Sequence, residues 1–129
     1  MIESSISTFL LADAILSGLI ASRLYPLKLP QKPTLPAVTY QRISGERVHD
    51  MSGASGLAEP RFQFDAWADK YLDAKSVADA IRKRLDGFKG LAETDTVQSA
   101  LLESDRDFYE DDVKIWRVSM DYFIGFTEA

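Results

Sequence analysis

The sequence predicts an α+β fold: an antiparallel sheet with two main helices packed on one face, in the order α-β-β-α-β-β. A length of 129 residues fits a single domain spanning 1–129. Some stretches repeat apolar residues every three or four positions, as amphipathic helices do, whereas others alternate apolar and polar residues, as half-buried strands do. Hairpin-connected strands with helices laid on one face form an α+β sandwich.

The composition limits the chemistry that the chain can perform. Because there is no cysteine, disulfides, thiolate catalysis and cysteine-based zinc sites are excluded. The formal net charge is −5, and no run of lysine and arginine offers the basic face that phosphate binding requires. The N-terminal stretch carries Glu3 where a signal peptide needs positive charge, and Asp13 and Ser17 interrupt its apolar run. These features predict a soluble, unexported protein.

The first helix is predicted to start at a cap on Ser4 or Ser5 and to run to about Leu24. Asp13 lies on or near its apolar stripe, which predicts a hydrogen-bonded edge position or a subunit contact. Prolines then exclude helix and inner strand, so residues 25–37 are predicted to form an extended connector that contains Pro26, Pro30, Pro33 and Pro36.

Two strands are predicted on either side of a segment that contains three glycines. Val38–Ser44 is rich in β-branched and aromatic residues. Arg61–Trp67 alternates strictly, with one apolar face made of Phe62, Phe64 and Ala66. Between them, residues 45–60 are predicted to be a flexible loop, because a segment this long without regular structure is usually functional or disordered.

The second half of the chain predicts one helix and two strands. Apolar residues at steps of three and four place a helix from Asp69 or Tyr71 to Phe88. Val97–Glu103 and Val113–Phe126 read as strands, and the acidic residues 103–112 between them read as the tip of a hairpin.

Catalytic and metal-binding signatures are missing from the sequence. Gly53–Gly56 lacks the spacing of a nucleophile elbow, and no phosphate-cradling Gly-Lys-Ser/Thr triplet occurs. Asp105 begins a stretch like a calcium loop, but Tyr109 and Glu110 stand where a ligand and a glycine are needed. His49 is the only histidine. The sequence therefore predicts no catalytic residue, no cofactor and no metal site.

Two strand faces combine charged and aromatic residues, as protein interfaces do. Trp67 lies on the polar face of its strand, and polar residues interrupt the middle of the last strand. The candidate interface residues are Arg61, Gln63, Asp65 and Trp67 in the first of these strands, and Arg117, Ser119, Asp121 and Phe123 in the second.

Three patches resemble the tail-completion, or tail-terminator, family of long-tailed bacteriophages and prophages, whose members cap the tail tube and join it to the head. They are Thr39–Gly45, Gly56–Ala68 and Arg117–Phe123, and the similarity runs from the first helix to Phe126. The resemblance implies an α+β sandwich and a structural protein, not an enzyme. It also implies a homo-oligomeric ring, commonly a hexamer, at the head-proximal end of the tail tube.

The implied ring stops tube polymerisation and lets DNA pass without sequence-specific binding. Its implied partners are further copies of itself, the tail tube protein and the head-tail connector proteins of the neck, with no membrane. The implied location is the virion, reached from the host cytoplasm during assembly. Because a ring uses two different surfaces on each subunit, the two strand faces are its candidate surfaces.

In such a ring, residues 45–60 are predicted to form an arm that projects toward a neighbouring subunit, the tube or the channel and orders on assembly. Its candidate docking or channel residues are Arg47, His49, Asp50 and Met51. Two alternatives stay open: a head-completion connector ring in the same neck, and a small ligand-binding protein or hydrolase that uses His49.

Overall fold

The computed structural model describes residues 1–44, 47–50, 53–58 and 60–127. In chain order its elements are α1 (Ile2–Leu11), α2 (Ala14–Ile20), β1 (Leu24–Pro26), β2 (Ala37–Ser44), β3 (Arg47–Asp50), β4 (Gly53–Ala58), β5 (Arg61–Ala68), α3 (Tyr71–Leu85), β6 (Gly90–Ala92), β7 (Asp95–Glu110) and β8 (Ile115–Thr127).

The eight strands form one sheet. Its main path runs β1-β2-β5-β8-β4-β3, and β7 pairs along the other edge of β8, with β6 beside the start of β7. All pairs are antiparallel except β1 with β2, which are parallel. The α+β class is therefore confirmed, but the antiparallel sheet and the order α-β-β-α-β-β are wrong in detail. The sheet is mixed, three helices are present, and short strands extend the predicted set.

The predicted N-terminal helix is two helices, α1 and α2, which meet at 89°. Asp13 begins α2 as its N-cap, since its Oδ2 accepts a hydrogen bond from the amide of Leu16 at 2.9 Å. At the end of α1, the guanidinium of Arg84 donates two hydrogen bonds to the carbonyl of Phe9, at 3.0 and 3.1 Å. Both devices satisfy backbone groups that a helix terminus leaves without a partner. The expected edge position of Asp13 is therefore a helix cap.

The connector over residues 25–37 includes the end of a short strand. In β1, Leu24 pairs with Val38 and Pro26 with Tyr40 in parallel register. A proline is tolerated here because β1 lies at the edge of the sheet, where its missing N–H removes no ladder bond.

Residues 37–68 form one long hairpin, so the prediction of an irregular loop from 45 to 60 is wrong for the strands it contains. Beyond β2 and β5, the strands β3 and β4 pair with each other, from Arg47 opposite Ala58 to Asp50 opposite Gly53. We call β3 and β4 the arm. Its base pairs with the end of β8, at Leu57 opposite Thr127, while its outer part pairs with no other described strand.

The last hairpin is longer than predicted. β7 extends through the acidic stretch to Glu110, and the chain turns over residues 111–114 before β8 begins at Ile115. The prediction of a hairpin tip over 103–112 is therefore wrong for most of that range. Its charged residues lie on an edge strand, where charges keep an open strand soluble.

The core lies between the sheet and the three helices. α3 packs on β5 and β8, and α1 and α2 pack against α3. The helix ends as predicted, because Gly87 takes a φ of +81°, a left-handed conformation that favours glycine. The predicted apolar faces are confirmed in this core, which includes Phe62, Phe64 and Ala66 from β5 and Val118, Met120, Tyr122, Ile124 and Phe126 from β8.

Candidate assembly surface

The sheet face that points away from the helices carries all eight of the predicted interface residues. β5 and β8 are antiparallel neighbours, and their register sets these residues directly opposite one another. We call this surface the open face; its paired residues are Arg61 opposite Phe123, Gln63 opposite Asp121, Asp65 opposite Ser119, and Trp67 opposite Arg117.

One end of the open face is organised by Asp121, whose carboxylate is buried. Arg61 Nη2 donates to its Oδ2 at 3.0 Å and also contacts Glu103 Oε2 at 2.8 Å. Arg106 Nη1 lies 3.6 Å from the same Oδ2. The Arg61 guanidinium carbon is also 5.4 Å from the centre of the Phe123 ring. No described residue hydrogen-bonds Asp121 Oδ1, so this buried carboxylate retains acceptor capacity.

The other end is organised by Arg117. Its Nη2 contacts Glu110 Oε1 at 2.9 Å, and its Nη1 lies 3.7 Å from Asp65 Oδ1. Its guanidinium carbon is 5.2 Å from the centre of the Trp67 ring and 4.4 Å from that of Phe108, within the range of cation–π attraction. Arginine therefore bridges charged and aromatic groups at both ends of this face.

The side chains of Asp65 and Trp67 are also held within this surface. Gln63 Nε2 donates to Asp65 Oδ2 at 2.9 Å, and Trp67 Nε1 donates to Thr39 Oγ1 of β2 at 2.9 Å. Because these bonds fix the side chains before any partner arrives, a partner would meet an ordered surface at a smaller entropic cost.

The structure changes how the two predicted surfaces relate. β5 and β8 were expected to offer separate interfaces, but they are adjacent strands and their polar residues form one continuous surface. A heterologous ring contact therefore needs a second surface elsewhere on the subunit.

The sequence did not identify three residues that complete the open face. Glu103, Arg106 and Phe108 come from β7 and contact Arg61, Asp121 and Arg117, respectively. Their alternation with Asp105, Asp107 and Tyr109 was a strand signal, but the acidic residues favoured a turn.

The predicted docking residues of the arm are only partly described. Arg47, His49 and Asp50 lie in β3, and Met51 lies outside the described residues. Whether the arm orders on assembly stays a prediction.

On the helix side of β7, Tyr71 and Lys75 hold Asp107. Tyr71 Oη donates to Asp107 Oδ2 at 2.7 Å, and Lys75 Nζ lies 3.3 Å from Oδ1. The hydrogen bond from Tyr71, with a smaller contribution from Lys75, holds the pKa of Asp107 below its usual value. The same hydrogen bond raises the pKa of Tyr71. These contacts tie the long hairpin to the start of α3.

We expect Tyr71→Phe to raise the pKa of Asp107 toward its ordinary value, because the principal bond to the ionised carboxylate is lost. With the folded pKa below the unfolded one, this group stabilises the fold above the unfolded pKa, and the contribution disappears as pH falls through the folded pKa. The measurement is an NMR titration of the Asp107 carboxyl carbon. Tyr109→Phe is the control, and an equal shift in both variants would contradict the assignment.

Within the described residues, no group of three or more acidic or histidine side chains is arranged to hold a metal ion. In the same residues, no single helix is long and apolar enough to cross a bilayer, and α1 with α2 passes that test only as a pair bent by 89°.

Comparison with known proteins identifies the class as a structural component of phage-like tails. A solved structure of the virion of a native gene transfer agent particle contains a chain of the same fold. The TM-score is 0.76 at 18% sequence identity, and the match covers 91% of this chain and 87% of that one. The family model of the tail completion protein gp17 matches residues 4–126. The chain therefore belongs to the tail completion protein gp17 family, which confirms the resemblance seen in the sequence. No curated protein matches the sequence.

Proposed function

We propose that this tail completion protein caps the tail tube as a homo-oligomeric ring, with six subunits as the expected number. The ring terminates tube polymerisation, joins the tail to the neck of the head and leaves a channel for DNA. The observation that supports a ring best is the open face, where arginine and aromatic side chains concentrate around buried carboxylates. Arginine and aromatic residues are the types enriched at interfaces and at their energetic centres.

The layer structure supports the same proposal. A two-layer α+β subunit buries one face of its sheet under helices and leaves the other without a layer. Asp65 and Asp121 are buried on that other face although only neighbouring side chains of the sheet shield them. A neighbouring subunit packed on the open face would supply the third layer and exclude water from the arginine–carboxylate pairs.

The charge of the chain suits a conduit. A net charge of −5 repels DNA phosphates, so a channel through such a ring would let DNA slide and not grip it. We infer a role without catalysis, and partners that are further copies of the chain, the tail tube protein and the neck proteins. The site of action is then the head-proximal end of the tail, after assembly in the host cytoplasm.

Deletion of the gene tests the position in the particle. Loss of a tail terminator is expected to leave full heads together with overlong or unjoined tails, seen by negative-stain electron microscopy. Heads that leak their DNA would instead indicate a head-completion connector. His49→Ala serves as the control for a catalytic role: it is expected to leave particle yield unchanged, and a lost yield would favour an enzyme or ligand-binding protein.

A further inference from the structure

The helix layer contains an open groove between α2 and α3, on the side of the subunit away from the open face. Its volume is about 580 Å³, within the size range of ligand and peptide pockets. The lining combines an apolar floor with charges of both signs: Asp13, Ile15, Leu19, Ser76, Asp79, Ala80, Lys83 and Arg84. Ile15 is 69% exposed, which is unusual for a residue of its size in a folded subunit.

The turn of the β7–β8 hairpin is the counterpart of this groove in size and charge. It spans Asp111–Lys114 and presents Val113, 60% exposed, between two carboxylates and one ammonium group. Neither Asp111 nor Asp112 forms an ion pair with any described residue. The turn is also continuous with the open face, because Glu110 next to it binds Arg117.

We propose that the groove receives the hairpin turn of a second copy of this chain. Val113 then packs on Ile15 and Leu19, the carboxylates of the turn face Lys83, and Lys114 faces the acidic end of the groove. Turn and groove are different surfaces of one chain, so the contact is heterologous, as ring closure requires. The inference rests on the proposed ring and identifies the surface that lies opposite the open face between subunits.

The charges in the groove set the orientation of the turn. Lys83 Nζ contacts Asp79 at 3.0 Å, and Asp79 also binds Arg82, so the single carboxylate is shared by two cations. A carboxylate from the turn would relieve this shortage on Lys83. Exposed ion pairs contribute little binding energy, so here they select the register while the buried Val113 and Ile15 contribute most of the affinity.

Engineered cysteines test the contact directly, since the natural chain has none. The double variant Ile15→Cys with Val113→Cys is assembled with tail tubes and oxidised with diamide, and non-reducing gel electrophoresis then measures covalent multimers. We expect a ladder that extends to the ring size. Each single variant should stay monomeric, because in a heterologous contact a site never meets its own copy.

The matched control pairs Val113→Cys with Leu27→Cys, whose exposed side chain lies after β1 and away from the groove. An equal ladder from the control, dimers from a single variant, or no ladder from the double variant would overturn the contact. Native mass spectrometry of the same samples separates the two proposals. A ring without the ladder removes only the groove contact, whereas no oligomer on the tubes removes the ring itself.

Discussion

Replacing Phe64 with alanine is expected to lower the free energy of unfolding by about 3–5 kcal/mol, the usual cost of removing a buried phenylalanine side chain. Phe64 is 1% exposed at the centre of the sheet. Its ring meets the edge of Tyr122 at a centroid distance of 5.7 Å and lies 6.2 Å from Phe62. Both neighbours are fully buried, so the surrounding core has little freedom to collapse into the space.

Urea denaturation followed by tryptophan fluorescence measures this loss. The expected change is a large share of the about 5–15 kcal/mol that stabilises a typical domain, so the variant should unfold at a much lower urea concentration. Phe64→Leu is the matched control, because it keeps most of the apolar volume and should lose less. A loss below about 1 kcal/mol for the alanine variant would contradict the assignment of Phe64 to the core.

Phe123→Ala is expected to reduce ring assembly with little effect on folding. Phe123 is 37% exposed on the open face, so its removal should change the free energy of unfolding by less than about 1 kcal/mol. If a neighbouring subunit covers it, truncation of a central aromatic should weaken each contact by about 2 kcal/mol, or about 30-fold in affinity. The measurement is the fraction of protein bound to purified tail tubes.

The control for this experiment is Leu27→Ala, which removes a side chain that is 70% exposed and lies away from the open face. It should bind tubes as the natural protein does. Unchanged assembly in Phe123→Ala, or an equal defect in Leu27→Ala, would show that the open face is not a contact surface.

The elements predicted well from sequence are those with an unambiguous period. The helix α3 and the strand β5 each bury one consistent face, and both were placed within a few residues of their bounds. The break between α1 and α2 was missed because the apolar stripe continues across it. Asp13 was the available signal, since aspartate is a favoured N-cap.

The missed strands depend on pairing that a local pattern does not contain. The stretch Gly53–Ala58 is rich in glycine and small residues, and its strand conformation comes from pairing with β3 and with the end of β8. The outer half of β7 is acidic and exposed, yet its backbone pairs with β8 as far as Glu110. Tertiary context overrides weak local propensity in both places.

The open face was only partly predictable. Period-two alternation assigned eight residues to the polar sides of two strands, and the structure agrees with that assignment. The sequence could not show that β5 and β8 are neighbours in direct register, which merges two expected surfaces into one. Nor could it show that Arg106 and Phe108 reach this face from β7, because that depends on how far the last hairpin extends.

The central claim is that the open face is buried between copies of this chain in a ring at the end of the tail. Cryo-electron microscopy of purified tails tests it most directly, at a resolution that shows side chains. The account predicts a ring of identical subunits in which Arg117 and Phe123 of each copy lie against the helix layer of the next. A tail end with an isolated copy, or a ring whose open faces are turned to solvent, would contradict it.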